Sequence, residues 1–213
     1  MFSVAATPPW SLWDGKDYKN MSDQDEAKFR MIEYHKWKFK AKIFSPLAPL
    51  TVKRTPVLMT RVEYGFLGSY NKYKKSPFET FYMGGDGMSG YSSTYATETI
   101  GLRGYENGSI AGNGGYNSYG YAYSRLSMEL RYPFLLEPSS TIYGLVFVEA
   151  GNAWRDLKDF NPFQLKRSAG VGVRIFLPMI GLMGIDWAYG FDKIRGSSDY
   201  GGSQFHFILG QEF

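Results

Sequence analysis

The stretch Gln204-Phe205-His206-Phe207-Ile208-Leu209-Gly210-Gln211-Glu212-Phe213 alternates along its length. Phe205, Phe207, Leu209 and Phe213 share one parity; Gln204, His206, Gly210 and Glu212 share the other. Successive side chains of a strand point to opposite faces, so this segment has one greasy face and one wet face. Chain termini of soluble domains usually fray. A strand of this kind that closes on an aromatic residue is instead what a membrane-spanning barrel needs.

The same period of two recurs upstream. Lys36, Lys38, Lys40 and Lys42 alternate with Trp37, Phe39, Ala41 and Ile43, which matches 180° per residue rather than the 100° of a helix. Arg61, Glu63 and Gly65 oppose Leu58, Thr60, Val62, Tyr64 and Phe66. Arg125, Ser127, Glu129 and Arg131 oppose Ala122, Leu126, Met128, Leu130 and Tyr132. Further on, Ser168, Gly170, Gly172 and Arg174 oppose Ala169, Val171, Val173 and Ile175. Asp186, Ala188 and Gly190 oppose Met183, Ile185, Trp187, Tyr189 and Phe191.

Eight strands are predicted, near 2–7, 28–45, 55–70, 117–134, 140–155, 164–177, 180–192 and the terminal stretch. Connections after the second, fourth and sixth read as short and Pro-containing, and the others as longer and polar. The longest, about 71–115, is rich in Gly, Ser, Thr and Tyr. Short turns at one end and long loops at the other are the layout of an outer-membrane barrel, with periplasmic turns and extracellular loops. An even strand number puts both termini on the periplasmic side. All strands but the first reach the roughly 9–11 residues that a tilted span needs. The fold expected is all-β, an antiparallel transmembrane β-barrel segment covering 1–213 with no second domain.

Composition is consistent with this. Of 213 residues, 18% are aromatic, 25 are Gly and none is Cys. The aromatic content suits the girdles of membrane barrels, and negative mean hydropathy is no obstacle where half of each strand faces a polar lumen. No run approaches the roughly 18 apolar residues of a membrane-spanning helix. Without Cys there is neither a disulfide framework nor a thiolate metal site. Met1-Phe2-Ser3-Val4 lacks the basic start and long apolar core of a signal peptide. A mature segment, or part of a longer chain, is therefore expected.

A charge on the lipid face costs about 2–4 kcal/mol at mid-bilayer. Lys36, Lys38, Lys40, Lys42, Arg61, Arg125, Arg131 and Arg174 are therefore expected to line the lumen, where Glu63, Glu129, Glu149 and Asp186 share their parity.

Inside the long loop lie Phe81-Tyr82-Met83-Gly84-Gly85 and Leu102-Arg103-Gly104-Tyr105. With Glu149-Ala150-Gly151-Asn152-Ala153-Trp154, Ser168-Ala169-Gly170-Val171-Gly172-Val173 and the terminal Gly210-Gln211-Glu212-Phe213, these elements in this order resemble the C-terminal half of the BamA/TamA outer-membrane assembly barrels. The resemblance implies a loop folded back into the lumen. Its tip, Arg103-Gly104-Tyr105, would be supported by Gly84 and Gly85 and would contact inward acids, here Glu129 and Glu149. The segment Asp86 to Ile100 is an insertion relative to many members. In that family the barrel has sixteen strands and follows periplasmic POTRA domains, which are missing here. Eight strands also suffice for a small closed barrel, but its interior fills with side chains and leaves little room for such a loop.

By the same resemblance, the expected function is non-enzymatic insertion of nascent β-barrel clients into outer-membrane lipid. The terminal strand (Phe205, Phe207, Leu209, Gly210, Phe213) would form a labile seam, and accessory lipoproteins would be reached through POTRA domains. Neither a cofactor, a metal nor a nucleic-acid partner is expected, and no phosphate-cradling Gly loop followed by Lys and Ser/Thr is present. Competing readings are an eight-stranded anchor or pore and a lipid-modifying enzyme. The chain has two histidines, His35 and His206. Ser203 is the nearest hydroxyl candidate for a nucleophile beside His206.

Overall fold

The computed structural model describes residues 1–22, 25–49, 51–87, 98–110, 119–194 and 200–210. Its strands are β1 (Phe2–Ala6), β2 (His35–Pro46), β3 (Val57–Gly68), β4 (Phe81–Met83), β5 (Glu98–Ile100), β6 (Ala122–Glu137), β7 (Ser140–Trp154), β8 (Lys166–Leu177), β9 (Gly181–Lys193) and β10 (Tyr200–Gly210). Eight of them form one antiparallel sheet in the order β1-β2-β3-β6-β7-β8-β9-β10. The short β4 and β5 form a separate parallel pair within the long loop. Among the described residues β1 pairs with β2 and β10 with β9, so each keeps one unpaired edge.

The alternation in sequence becomes an alternation in burial. On β7, Val148 is 53% exposed and the adjacent Glu149 only 3%. On β9, Ile185, Trp187, Tyr189 and Phe191 are exposed while Asp186 and Ala188 are buried. Met128 and Leu130 of β6 are exposed around a buried Glu129. A protein in water buries its aliphatic residues and exposes its charges. Here the exposed row is the apolar one, over several adjacent strands, which is the surface of a protein solvated by hydrocarbon. No helix of the described residues is long and apolar enough to cross a membrane.

The apolar core lies between the sheet and the loop folded against its inner face. Phe81, Met83, Leu102 and Tyr105 of the loop meet Leu67 of β3 and Tyr123 of β6. Leu145, Phe147 and Ala188 form a smaller cluster on β7 and β9.

Several boundaries differ from the sequence expectation. β2 starts at His35 rather than near 28 because Glu26–Phe29 is a short helix, α2; another, α1, spans Trp10–Trp13. The Asp25 carboxylate accepts from the Ala27 N–H at 2.9 Å and caps α2. The turn between β2 and β3 runs over 47–56, longer than the turns at 138–139 and 178–180. Pro46, Pro49 and Pro56 have no N–H to donate across a tight hairpin. Leu47 closes this wider turn by donating to the Pro56 carbonyl at 2.9 Å. Ala122 has outward parity yet is fully buried. It lies in register between Phe66 and Trp154, and Phe160 packs edge-on against both rings, 5.0 and 4.8 Å away. Phe213 and residues 88–97 of the insertion lie outside the described residues.

Val148→Lys is expected to lower the stability of the lipid-embedded fold by about 2–4 kcal/mol, read as a shift of the urea midpoint in vesicles. An unchanged midpoint would mean that this face does not meet hydrocarbon.

Candidate functional site

The long loop brings Arg103 to the inner face of the sheet, where it is 4% exposed. Its Nη2 donates to Glu129 Oε1 at 2.5 Å and to Glu149 Oε1 at 2.8 Å. Nη1 donates to Asp186 Oδ2 at 2.8 Å. The Arg103 backbone N–H donates to Glu149 Oε2 at 3.0 Å, and the guanidinium lies 3.5 Å over the Phe147 ring. The three acids come from β6, β7 and β9 and point inward because each has the inner parity of its strand. Burial alone would pull the arginine pKa down. The charges of Glu149 and Glu129 more than offset this and hold it above its ordinary value.

Each acid also meets an arginine on the sheet. Arg125 donates to Glu149 at 2.8 Å. Arg131 donates to Glu129 through Nε at 2.9 Å and Nη2 at 2.6 Å. Arg174 forks onto both oxygens of Asp186 at 2.5 and 2.6 Å. Such paired donors add geometric specificity to charge. Ser127 Oγ adds a bond to Glu149 at 3.0 Å.

The residues around Arg103 determine how closely the loop can approach. Gly104 has φ +86°, and a Cβ there would sit 2.8 Å from the Gly190 nitrogen on β9. A side chain would therefore be both strained and obstructed. The Gly104 N–H donates to His206 Nε2 on β10 at 2.9 Å. Tyr105 donates its hydroxyl to the Arg167 carbonyl of β8 at 2.7 Å, and burial pushes its phenol up to about 12. A Cβ on Gly201 would lie 2.6 Å from the Tyr105 ring. The tip therefore touches β6, β7, β8, β9 and β10 in succession.

Gly84 and Gly85, at φ +129° and +73°, lie behind the tip. The Gly84 N–H donates to the Ile100 carbonyl and the Gly85 N–H to the Tyr105 carbonyl, both at 3.0 Å. Beside them, the lysines of β2 meet loop and sheet acids. Lys36 lies 3.1 Å from Glu79 and 3.0 Å from Glu98, Lys38 lies 3.1 Å from Glu98, and Lys40 lies 2.8 Å from Glu63. A lumenal cavity of about 600 Å³ opens among Lys38, Lys40, Arg61, Glu63, Arg103 and Arg125.

The terminal strand exposes Phe205 (67%), Phe207 and Leu209 on its outer face. Gly210 follows at φ +124°. Ser203 accepts from Trp187 Nε1 at 2.8 Å on that outer face, whereas His206 is buried on the inner one. A Ser203–His206 catalytic pair is therefore ruled out by parity. His35 Nδ1 accepts from Trp37 Nε1 at 3.0 Å, and its ring packs on Tyr70.

Sequence reasoning places Asp186 inside but does not connect it to Arg103, and it misses His206 as an acceptor for the tip. The inner parity shared by Arg174, Asp186 and His206 is the available signal.

Arg103→Ala and Glu149→Ala are each expected to cost about 3–5 kcal/mol, because each removes a member of a buried ionic network and leaves the remaining charges unbalanced. The double variant should cost much less than the sum, as measured by denaturant unfolding in lipid. Additive losses would mean that the two groups do not act as a pair.

A family model described as the Omp85 superfamily domain matches residues 28–213. Among solved structures, BamA from Haemophilus ducreyi lacking POTRA domains 1–3 is similar in fold, with a TM-score of 0.55 and 22% identity. The match covers 82% of this chain and 34% of that one, so the chain spans about a third of the length of that BamA. No curated protein matches the sequence. With nearly its whole length matched by the family model, the chain belongs to the Omp85 superfamily.

Proposed function

We propose that the chain acts in the assembly and insertion of β-barrel proteins into the bacterial outer membrane. It would do so without catalysing a covalent reaction. The observation that carries this reading is the clamp on Arg103. A loop tied by three buried carboxylates to β6, β7 and β9 fills the inner face apart from the cavity beside Arg103, which does not suit an open diffusion pore.

The proposed working surface is the terminal strand. Unpaired backbone groups are costly in lipid, so a strand edge there is a template for an incoming strand. β10 has such an edge among the described residues. Its start is weakened by a register shift between Tyr200 and Gly202 and by two successive glycines. β1 and β10 line the same lumenal cavity through Ser3 and Ile208; on this reading further strands join their edges, as half of a sixteen-stranded whole. On this reading Phe205, Phe207, Leu209, Gly210 and Phe213 form the seam and Arg103, Gly104 and Tyr105 the lumenal lock. Nascent barrel clients and outer-membrane lipid are the partners, and accessory lipoproteins would be engaged through POTRA domains. The long loops would face outward and the termini the periplasm.

The chain has no Cys, so Leu209→Cys provides a unique cross-linking site. In vesicles carrying this variant, an unfolded single-cysteine barrel client should fold faster than in empty vesicles and pass through an adduct trapped by a disulfide to the introduced thiol. Arg103→Ala should lower both yields. If client folding were not accelerated and no adduct formed, the assembly reading would fail in favour of a plugged anchor.

A further inference from the structure

We infer that the loop end of the sheet carries a second site, a pocket for a phosphorylated sugar. A cavity of about 1010 Å³ opens there, lined from three separate connections: β1 to β2, β3 to β6, and β7 to β8. Its size is at the upper end for ligand pockets. It shares no lining residue with the lumenal cavity beside Arg103.

The walls are held by contacts of their own. The Glu33 carboxylate accepts from both the backbone N–H and the hydroxyl of Ser11, at 2.8 and 2.6 Å. The buried Lys74 ammonium lies 3.8 Å from Glu33 and 4.6 Å over the Tyr18 ring, and Tyr18 donates its hydroxyl to Asp14. Lys75 bonds Asp156 at 2.8 Å and so ties the second connection to the third. Tyr121 donates to the Ser76 carbonyl at 3.0 Å. These contacts brace the connections behind the pocket, and none of them involves Arg103, Gly104 or Tyr105.

Its lining combines two chemistries. Five basic side chains line it against two acidic ones. Of the basic set, Lys19, Lys72 and Arg155 are exposed and form no ion pair among the described residues. Several cations with an arginine fork among them are a phosphate-recognising arrangement. The second component is aromatic: six Tyr and Phe residues line the same cavity, with Tyr119 presenting a partly exposed ring and the Lys72 ammonium lying 4.8 Å over the ring of Tyr73. Aromatic rings offer a large apolar face, with negative π density, to the C–H side of a sugar ring. Asp159, and Asp156 beside its bond to Lys75, also line the cavity and supply acceptors for hydroxyl donors. Inorganic phosphate would leave the rings and the acids unused, and a purely apolar ligand would leave the cations unmatched. A sugar bearing phosphate uses all three. It can come from a glycolipid headgroup, whose acyl chains would lie along the apolar outer face, or from a soluble sugar phosphate.

The test uses the protein in nanodiscs of neutral phospholipid. Binding is measured for glucosamine 6-phosphate, for a phosphorylated glucosamine glycolipid doped into the disc, for the dephosphorylated forms of each, and for inorganic phosphate. Lys72→Glu/Arg155→Glu is compared with Lys53→Glu/Arg54→Glu, which makes the same charge change on the turn between β2 and β3 at the opposite end. The pocket variant should bind phosphorylated probes about tenfold more weakly or worse, and the turn variant should bind like the parent. Binding of the glycolipid alone would assign the site to a membrane source, and binding of the free sugar phosphate alone to a soluble one. The proposal is overturned if dephosphorylated probes or inorganic phosphate bind as well, or if the two double variants weaken binding equally. Heat-shifted gel mobility verifies that both variants are folded. Because the pocket shares no residue with the clamp or the terminal strand, either outcome leaves the assembly reading to its own experiment.

Discussion

A guanidinium does not give up its proton inside a protein, so a loop that carries one into a barrel must be met there by acids. Arg103 is met by three, each on a different strand, and each of those is held by a further arginine on the sheet. An apolar plug of the same volume could match such a network in net stability. What the ions add is register. A one-residue slip of β6, β7 or β9 would turn Glu129, Glu149 or Asp186 toward lipid and put an aliphatic neighbour against the guanidinium. The strands and the loop thus specify one another.

Approach distance is the second half of that constraint. The tip reaches the sheet because Gly104, Gly190 and Gly201 leave out the atoms that would separate the chains. The result is a direct bond from the Gly104 N–H to His206 on the terminal strand. Acceptance at Nε2 requires that nitrogen to be unprotonated. This bond joins the ionic network around Arg103 directly to β10, whose other edge is unpaired among the described residues.

Much of this is legible in the sequence because a barrel strand writes its two environments into alternate residues. Parity alone puts Arg61, Glu63, Glu129, Glu149, Arg174 and Asp186 on the inner face, and all are buried. Two kinds of feature are not legible. Local structure with no periodic signature is one: α2 begins where an extended second strand is expected, and the three-residue β4 and β5 are too short to show a period. The other is three-dimensional choice among equals. Asp186 and Glu63 have the same parity, yet Asp186 meets the tip while Glu63 pairs with Lys40. What separates them is where the loop tip docks, over β6 to β10 and not over β3. Ala122 shows the converse, an outward residue covered because Phe160 of a neighbouring connection packs on its flanking rings.

The distribution of these contacts has a consequence for the proposed role. The central strands are long, 16 residues for β6 and 15 for β7, and are cross-linked by the ionic network. The edges are different. β1 has five residues, and β10 begins at a register shift with a glycine at φ +71°. Beyond the backbone ladder to β9, β10 is tied inward chiefly by His206. Separating β10 from β9 breaks a backbone ladder and the His206 contact, whereas separating the central strands breaks such a ladder and the buried ion pairs as well. A scaffold that must release one boundary to an incoming strand while keeping its shape needs such a gradient. On the proposed reading, the lock and the seam are two aspects of one arrangement, because the acids that hold the loop lie on β6, β7 and β9 and not on β10.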